Sequence, residues 1–171
     1  MHANRNFDSS VAFPPRGVLG LSLALFAFGF VQAFGEVGNY SLYVDENRSL
    51  WGMGDNDNGQ LGDGTLTDRN QPYKISTSGG VVDFAHGMDH TLYVQTDGSL
   101  WGMGDNAYGQ LGDGNTTDRN SSYRIVDANV TAVAAGMHHS VFLKRDGSLW
   151  TMGRNDYGQL GNGNGAQQAT P

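Results

Sequence analysis

The segment spanning 50–70, LWGMGDNDNGQLGDGTLTDRN, returns at 100–120 as LWGMGDNAYGQLGDGNTTDRN. The two differ only at Asp57/Ala107, Asn58/Tyr108, Thr65/Asn115 and Leu66/Thr116. A third version, LWTMGRNDYGQLGNGN, starts at Leu149. Trp51, Trp101 and Trp150, the chain's three tryptophans, are 50 and 49 residues apart. Units that recur at such a period bury their apolar faces against one another, and a period near 50 with fixed glycine and aromatic positions marks a β-propeller.

Inside each period the pattern is that of short strands. The runs SLYVD from Ser41, TLYVQ from Thr91 and SVFLK from Ser140 are rich in β-branched and aromatic residues. Turns follow them, and the second and third, Thr96-Asp97-Gly98 and Arg145-Asp146-Gly147, end in the Asp-Gly pair that accepts positive φ. Ser-Leu-Trp-x-Met-Gly then forms a second strand, whose tryptophans are expected to be blade-core residues. Alternation places Leu92 and Val94 on one face and Thr91 and Tyr93 on the other, and makes Val141 and Leu143 the inward pair of the third repeat. The glycine-rich stretch that follows is too broken for a strand and reads as an ordered loop, with Leu61, Leu111 and Leu160 tucked inward and turn glycines at Gly59, Gly109 and Gly158. A third strand is expected from Tyr73 or Tyr123, and a fourth from Val81 or Val130. The chain is therefore expected to be all-β, a partial propeller of about three four-stranded blades. Only one of these is complete, assembled from Val81 to Val126.

The first 33 residues have another character. A polar start ends in Pro14-Pro15-Arg16, and a strongly apolar run follows between Leu19 and Val31. Its 13 residues are fewer than the ~20 that cross a bilayer and suit the core of a signal peptide. Val31-Gln32-Ala33 offers a processing site, so residues 1–33 are expected to be a cleaved leader, with an uncleaved membrane anchor as the alternative. The repeats would then occupy 34–171, divided at about 40–89, 90–138 and 139–171. Export places the product in the cell envelope or outside the cell.

These residues resemble the regulator of chromosome condensation repeat family. Its pattern is matched in the third repeat by Ala135-Gly136-Met137-His138-His139-Ser140-Val141, then by Asp146-Gly147-Ser148-Leu149-Trp150, then by Gly153-Arg154-Asn155 running on to Gly158-Gln159-Leu160-Gly161. The similarity covers Tyr40 to about Gly163. It implies a seven-bladed propeller, of which three repeats would be a fragment, since seven units of this period need about 350 residues. It also gives His90 and His139 a structural reading, because the family motif carries histidine there for the fold.

Composition narrows the chemistry. A net charge of −7 without a basic stripe makes nucleic acid a poor partner. With no cysteine there are no disulfides or thiolate sites. Asp55-Asn56-Asp57-Asn58-Gly59 looks like a calcium loop, but Gly59 comes one place early, and Leu66 stands where the bidentate glutamate belongs. No nucleophile motif or phosphate loop is present, so no catalytic residue, metal or cofactor is expected. The candidate partner-contact positions lie in the loops. Asp68-Arg69 and Asp118-Arg119 could grip an anionic group or close the loop by pairing internally. Tyr108 and Tyr157 stand where the first repeat has Asn58 and could anchor a partner. The expected role is a non-enzymatic exported scaffold that binds a protein or surface polymer, with self-association through open blade edges. Nucleotide exchange on a small GTPase, or inhibition of a secreted enzyme, is the alternative.

Overall fold

The computed structural model of the protein describes residues 33–34, 38–75 and 80–171. All regular elements among the described residues are strands. The first repeat supplies β1 (Ala33–Phe34), β2 (Tyr40–Val44), β3 (Leu50–Gly54) and β4 (Arg69–Lys74). The second supplies β5 (Val81–His86), β6 (His90–Gln95), β7 (Leu100–Gly104) and β8 (Arg119–Val126). The third supplies β9 (Val130–Ala135), β10 (His139–Lys144) and β11 (Leu149–Gly153). Each set is one antiparallel meander, so the sheets are β1-β2-β3-β4, β5-β6-β7-β8 and β9-β10-β11. The chain is a partial β-propeller, and the blade expected from Val81 to Val126 is the second sheet.

The hairpins share one register. Tyr43 faces Trp51, Tyr93 faces Trp101 and Phe142 faces Trp150 across the central strand pair. Each aromatic stacks on its tryptophan at 6.1–6.2 Å with the rings nearly parallel, and Lys74, Arg124 or Lys144 covers the tryptophan ring. Gly98 and Gly147 turn at φ +78° and +84°, whereas the first repeat puts Arg48 at φ +59° in the same place. Side chains rarely adopt that region, so the first turn is held by other means. Asp45 supplies them, accepting from the Asn47 and Ser49 amides and from the Trp51 indole.

Two apolar layers hold the sheets together. Leu42, Val44, Leu50 and Leu61 of the first blade meet Val81, Phe84, Tyr93 and Met103 of the second. Leu92, Val94, Leu100 and Leu111 of the second meet Val130, Phe142 and Met152 of the third. Both faces of the second sheet are therefore covered, and every residue of β6 is buried. Polar bonds join the same junctions. The Thr91 hydroxyl donates to the Gln60 carbonyl at 2.8 Å, and the Ser140 hydroxyl donates to the Gln110 carbonyl at 2.7 Å.

Four expectations need correction. Leu143 is exposed and Val141 half-buried, because the third sheet packs through Phe142 and the next layer that would cover the other face is absent among the described residues. The tryptophans are not core residues. Trp51 and Trp101 are half-buried and Trp150 is exposed, since each lies at the sheet's turn end, under a cation. The strands expected from Tyr73 and Tyr123 begin earlier, at Arg69 and Arg119, because a bulge between Gly52 and Gly54, repeated between Gly102 and Gly104, carries pairing on to those arginines. The first blade does have a strand before its hairpin, the two-residue β1, which pairs Ala33 with Tyr43 and Phe34 with Leu42. The bond expected to be cut, Ala33-Phe34, lies within that strand. The rest of the expected leader lies outside the described residues.

Candidate binding face: the repeat loops

The loop after β3, after β7 and after β11 is built on one buried asparagine. The Asn56 amide donates to Asp63 Oδ1, to the Thr65 carbonyl and to the Thr67 carbonyl, while its oxygen accepts the Leu61 N–H. Asn106 repeats this with Asp113, Asn115, Thr117 and Leu111. Asn155 repeats it with Asn162, Asn164, Ala166 and Leu160. All three asparagines are fully buried. Their bonds pull Leu61, Leu111 and Leu160 inward and close each loop around a single side chain. The sequence reading missed them. The signal was there, for asparagine holds the same place in all three repeats while its neighbours change.

Asp68 and Asp118 serve the same frame by accepting the backbone N–H of Asn56 and of Asn106 at 2.9 and 2.8 Å. Arg69 and Arg119 do not pair with those neighbouring aspartates. They reach the buried Asp63 and Asp113 instead, and Arg119 also lies over Tyr123 at 4.2 Å. Burial works against ionisation of Asp63, but hydrogen bonds from Thr65, Arg69 and Asn56 outweigh it and hold the carboxyl below its usual range. The loop thus carries its own counter-ion, inside itself.

What faces outward differs from blade to blade. In the first, Asp55, Asp57 and Asp68 bring carboxylate oxygens within 4.8 Å of one another, in a cleft also lined by Asn39, Arg69 and Asn70. These oxygens are the kind a hard cation takes. Yet Asp55 already accepts the backbone N–H of Asp57, and Asp68 that of Asn56, which is turn chemistry. Ala107 in the second blade and Arg154 in the third break the group. Asp89 lies between blades, where burial raises its pKa and the carboxylates of Asp55 and Asp105 raise it further. Tyr108 packs against His138, the ring centroids 5.2 Å apart and the planes tilted by 46°, with Arg154 on its ring at 5.1 Å. Tyr157, its counterpart, is 88% exposed.

The histidines sit at the blade junctions. His90 opens β6 and is fully buried, with Nε2 3.0 Å from the Ser140 hydroxyl. That hydroxyl's proton goes to the Gln110 carbonyl, so Nε2 is the donor. Burial, reinforced by His138, His139 and His86, pushes the His90 pKa down to about 3. His139 holds the same place in the third blade but is only half-buried. Gly59 and Gly109 lie against the next repeat, at Asn120 and Ala169, whereas Gly158 meets nothing within 4 Å.

Comparison with known proteins agrees with this construction. The model of the regulator of chromosome condensation (RCC1) repeat matches residues 49–94 and 97–143, and a second model of the same repeat matches 81–110 and 130–159. No curated protein matches the chain by sequence. Among solved structures, human WBSCR16 is similar at 26% identity and TM-score 0.68, over 78% of this chain and 36% of that one. Yeast RCC1 (Prp20), in a structure with Kap60, is similar at 20% identity and TM-score 0.71, over 80% and 35%. A second structure of Prp20p from Saccharomyces cerevisiae gives 21% and 0.68, over 83% and 37%. The yeast likenesses show the fold alone. The chain spans little more than a third of the length of these proteins. With the repeat models matching more than half of its residues, the chain belongs to the regulator of chromosome condensation repeat family.

Proposed function

We propose that the chain is a non-enzymatic binding scaffold that acts at the cell surface or outside the cell. Repeats of this family imply a propeller that serves as an interaction platform. One observation carries the reading here. The three loops share a buried frame on Asn56, Asn106 and Asn155, while the positions just after it read Asp57-Asn58, Ala107-Tyr108 and Asp156-Tyr157. A fixed frame with differing tips is suited to recognition, because the tips can vary without cost to the fold. Tyr157, largely exposed, is of the residue type that anchors protein interfaces. The yeast relatives were studied with Kap60, and for binding to Gsp1p and histones, which supports a protein as the class of partner. Export rests on the apolar segment before Ala33.

Two measurements test this. Affinity capture with the parent chain and with an Asp57→Ala/Tyr157→Ser variant of equal melting temperature should retain different proteins. Identical sets would overturn the loop-tip reading. Mass spectrometry of medium and cell fractions should find an amino terminus at Phe34 outside the cytoplasm, and an intact Met1 confined to the cytoplasm would overturn export. The exchange-factor alternative rests on family relation alone. Accelerated release of labelled GDP from a Ran-type GTPase would put it first.

A further inference from the structure

The two internal junctions show what each blade face requires, and the two end blades carry opposite halves of that same junction. At each internal junction the leading blade offers a leucine-rich face and a row of bare glycines, and the following blade fills them. Met103 lies against Gly62 and Met152 against Gly112, but Gly161 has nothing within 4 Å. Gly98 touches Asn129, yet Gly147 also meets nothing within 4 Å. The Gln60 and Gln110 carbonyls each accept a hydroxyl from the next blade. Gln159 occupies that place in the third blade, where it is only half-buried. Leu50 and Leu100 are wholly buried, whereas Leu149 is 67% exposed.

The first blade shows the other half. Thr91, Tyr93 and Met103 of the second blade, like Ser140, Phe142 and Met152 of the third, are buried in junctions. Their counterparts Ser41, Tyr43 and Met53 are exposed or half-buried. The open face of the third blade therefore lacks a methionine, a hydroxyl and an aromatic ring. The open face of the first blade has all three, at the register the internal junctions use.

We infer that the third blade of one chain docks the first blade of a second copy, head to tail, by repeating the internal junction. Met53 of the incoming copy seats on Gly161. Its Ser41 hydroxyl donates to the Gln159 carbonyl and meets the His139 ring, as Ser140 does with Gln110 and His90. The Gly163 amide takes the Asn70 carbonyl, as Gly64 takes that of Asn120 and Gly114 that of Ala169. The contact is heterologous, since different surfaces meet, so each copy keeps one free half after pairing. This inference depends on the blade faces and not on the scaffold role.

The test uses the 171-residue chain in sedimentation velocity across a wide concentration range. The parent should associate to at least twice the monomer mass. Leu149→Asp removes the tail half and Met53→Asp the head half, so each variant alone should stay monomeric at the parent's melting temperature. Mixed, the two should form a capped one-to-one pair, because the first keeps its head and the second its tail. Leu143→Asp and Ser41→Lys provide a second such pair should either substitution disturb folding. A parent that remains monomeric throughout overturns the inference and leaves a further repeat of a longer chain as the occupant. Self-association of either variant alone, or a mixture that stays monomeric, overturns it as well.

Discussion

The thioether of Met103 occupies the place where a Cβ on Gly62 would stand, and Met152 does the same to Gly112. At these two junctions nothing bulkier than glycine fits without displacing the methionine. Glycine provides a φ of +63° or +72° and a bare backbone together, and the next blade uses both. The blades are thus interlocked by backbone as much as by leucine.

Gly112→Ala and Gly161→Ala separate these two demands. Both force a methyl group into positive φ, which costs ~1–2 kcal/mol. In the dilute single chain only Gly112→Ala also overpacks a junction, adding ~1–3 kcal/mol, because Gly161 meets nothing within 4 Å of its own chain. Denaturant melts should show the Gly112 variant losing clearly more stability. Equal losses would mean that Met152 is not seated as described.

Asn106→Ala should be among the more damaging substitutions in the chain. It leaves the carbonyls of Asn115 and Thr117 and the N–H of Leu111 without their partner at a fully buried position. Each stranded polar group costs ~1–3 kcal/mol, so a loss of at least about 3 kcal/mol is expected. Tyr157→Ser, on the same loop system but exposed, should stay within about 0.5 kcal/mol of the parent. Thermal melts of the two variants decide it.

The strand pairs and the complete second blade were legible because alternation, Asp-Gly turns and a near-exact repeat all reported on local structure. What depended on a neighbouring blade was not. Alternation assigned Val141 and Leu143 inward correctly for a blade with a neighbour on that side, as Leu92 and Val94 show, but nothing among the described residues covers that face. The loops failed for another reason. Arg69 beside Asp68 suggested a neighbour pair, whereas the bulge at Gly52–Gly54 places Arg69 on β4 and turns it to Asp63. Asn56 was missed because most of its partners are backbone groups, which carry no side-chain signature, so that its recurrence in all three repeats was the one mark it left in the sequence.

Arg48→Gly should stabilise the protein. Arg48 is an exposed side chain at φ +59°, in the turn position that the other repeats give to Gly98 and Gly147. Relieving that conformation outweighs the added freedom of the unfolded chain, for a net gain of about 0.5–1 kcal/mol. An unchanged or lowered unfolding midpoint would show that the arginine's own contacts matter more than its backbone.

Trp101→Ala should cost about 2 kcal/mol, less than the ~3–5 of a fully buried aromatic. Trp101 is half-buried, stacked on Tyr93 at 6.2 Å and bonded through its indole N–H to Ser99. Part of the loss comes from the stacked pair itself, worth ~0.5–1.5 kcal/mol. Trp150→Ala, at the exposed face of the third blade, should cost less. Reversed order in chemical denaturation would contradict the two-layer core.

His90 makes stability depend on pH above the range of the carboxylates. In the unfolded chain its imidazole takes a proton near pH 6.5, while in the fold burial holds it neutral down to about pH 3. Between those values the unfolded state binds more protons, so stability falls as pH falls, by up to about 1.4 kcal/mol per pH unit. The contribution is wholly present above pH 6.5. His139 acts in the same direction more weakly, its pKa lowered by partial burial and by His138. Asp45, Asp63 and Asp97, held below their usual range, lose their contribution only as pH falls into the carboxylate range and beneath it, while Asp83 and Asp89, raised by burial, favour the fold on protonation and so oppose the trend. The downward slope over the interval below pH 6.5 therefore belongs to the histidines, because the lowered aspartates titrate beneath it and the raised ones slope the other way. His90→Gln keeps a donor for Ser140 and cannot titrate, so its unfolding free energy should be lower at pH 7 but much flatter across that interval. A variant as steep as the parent would place the titration elsewhere.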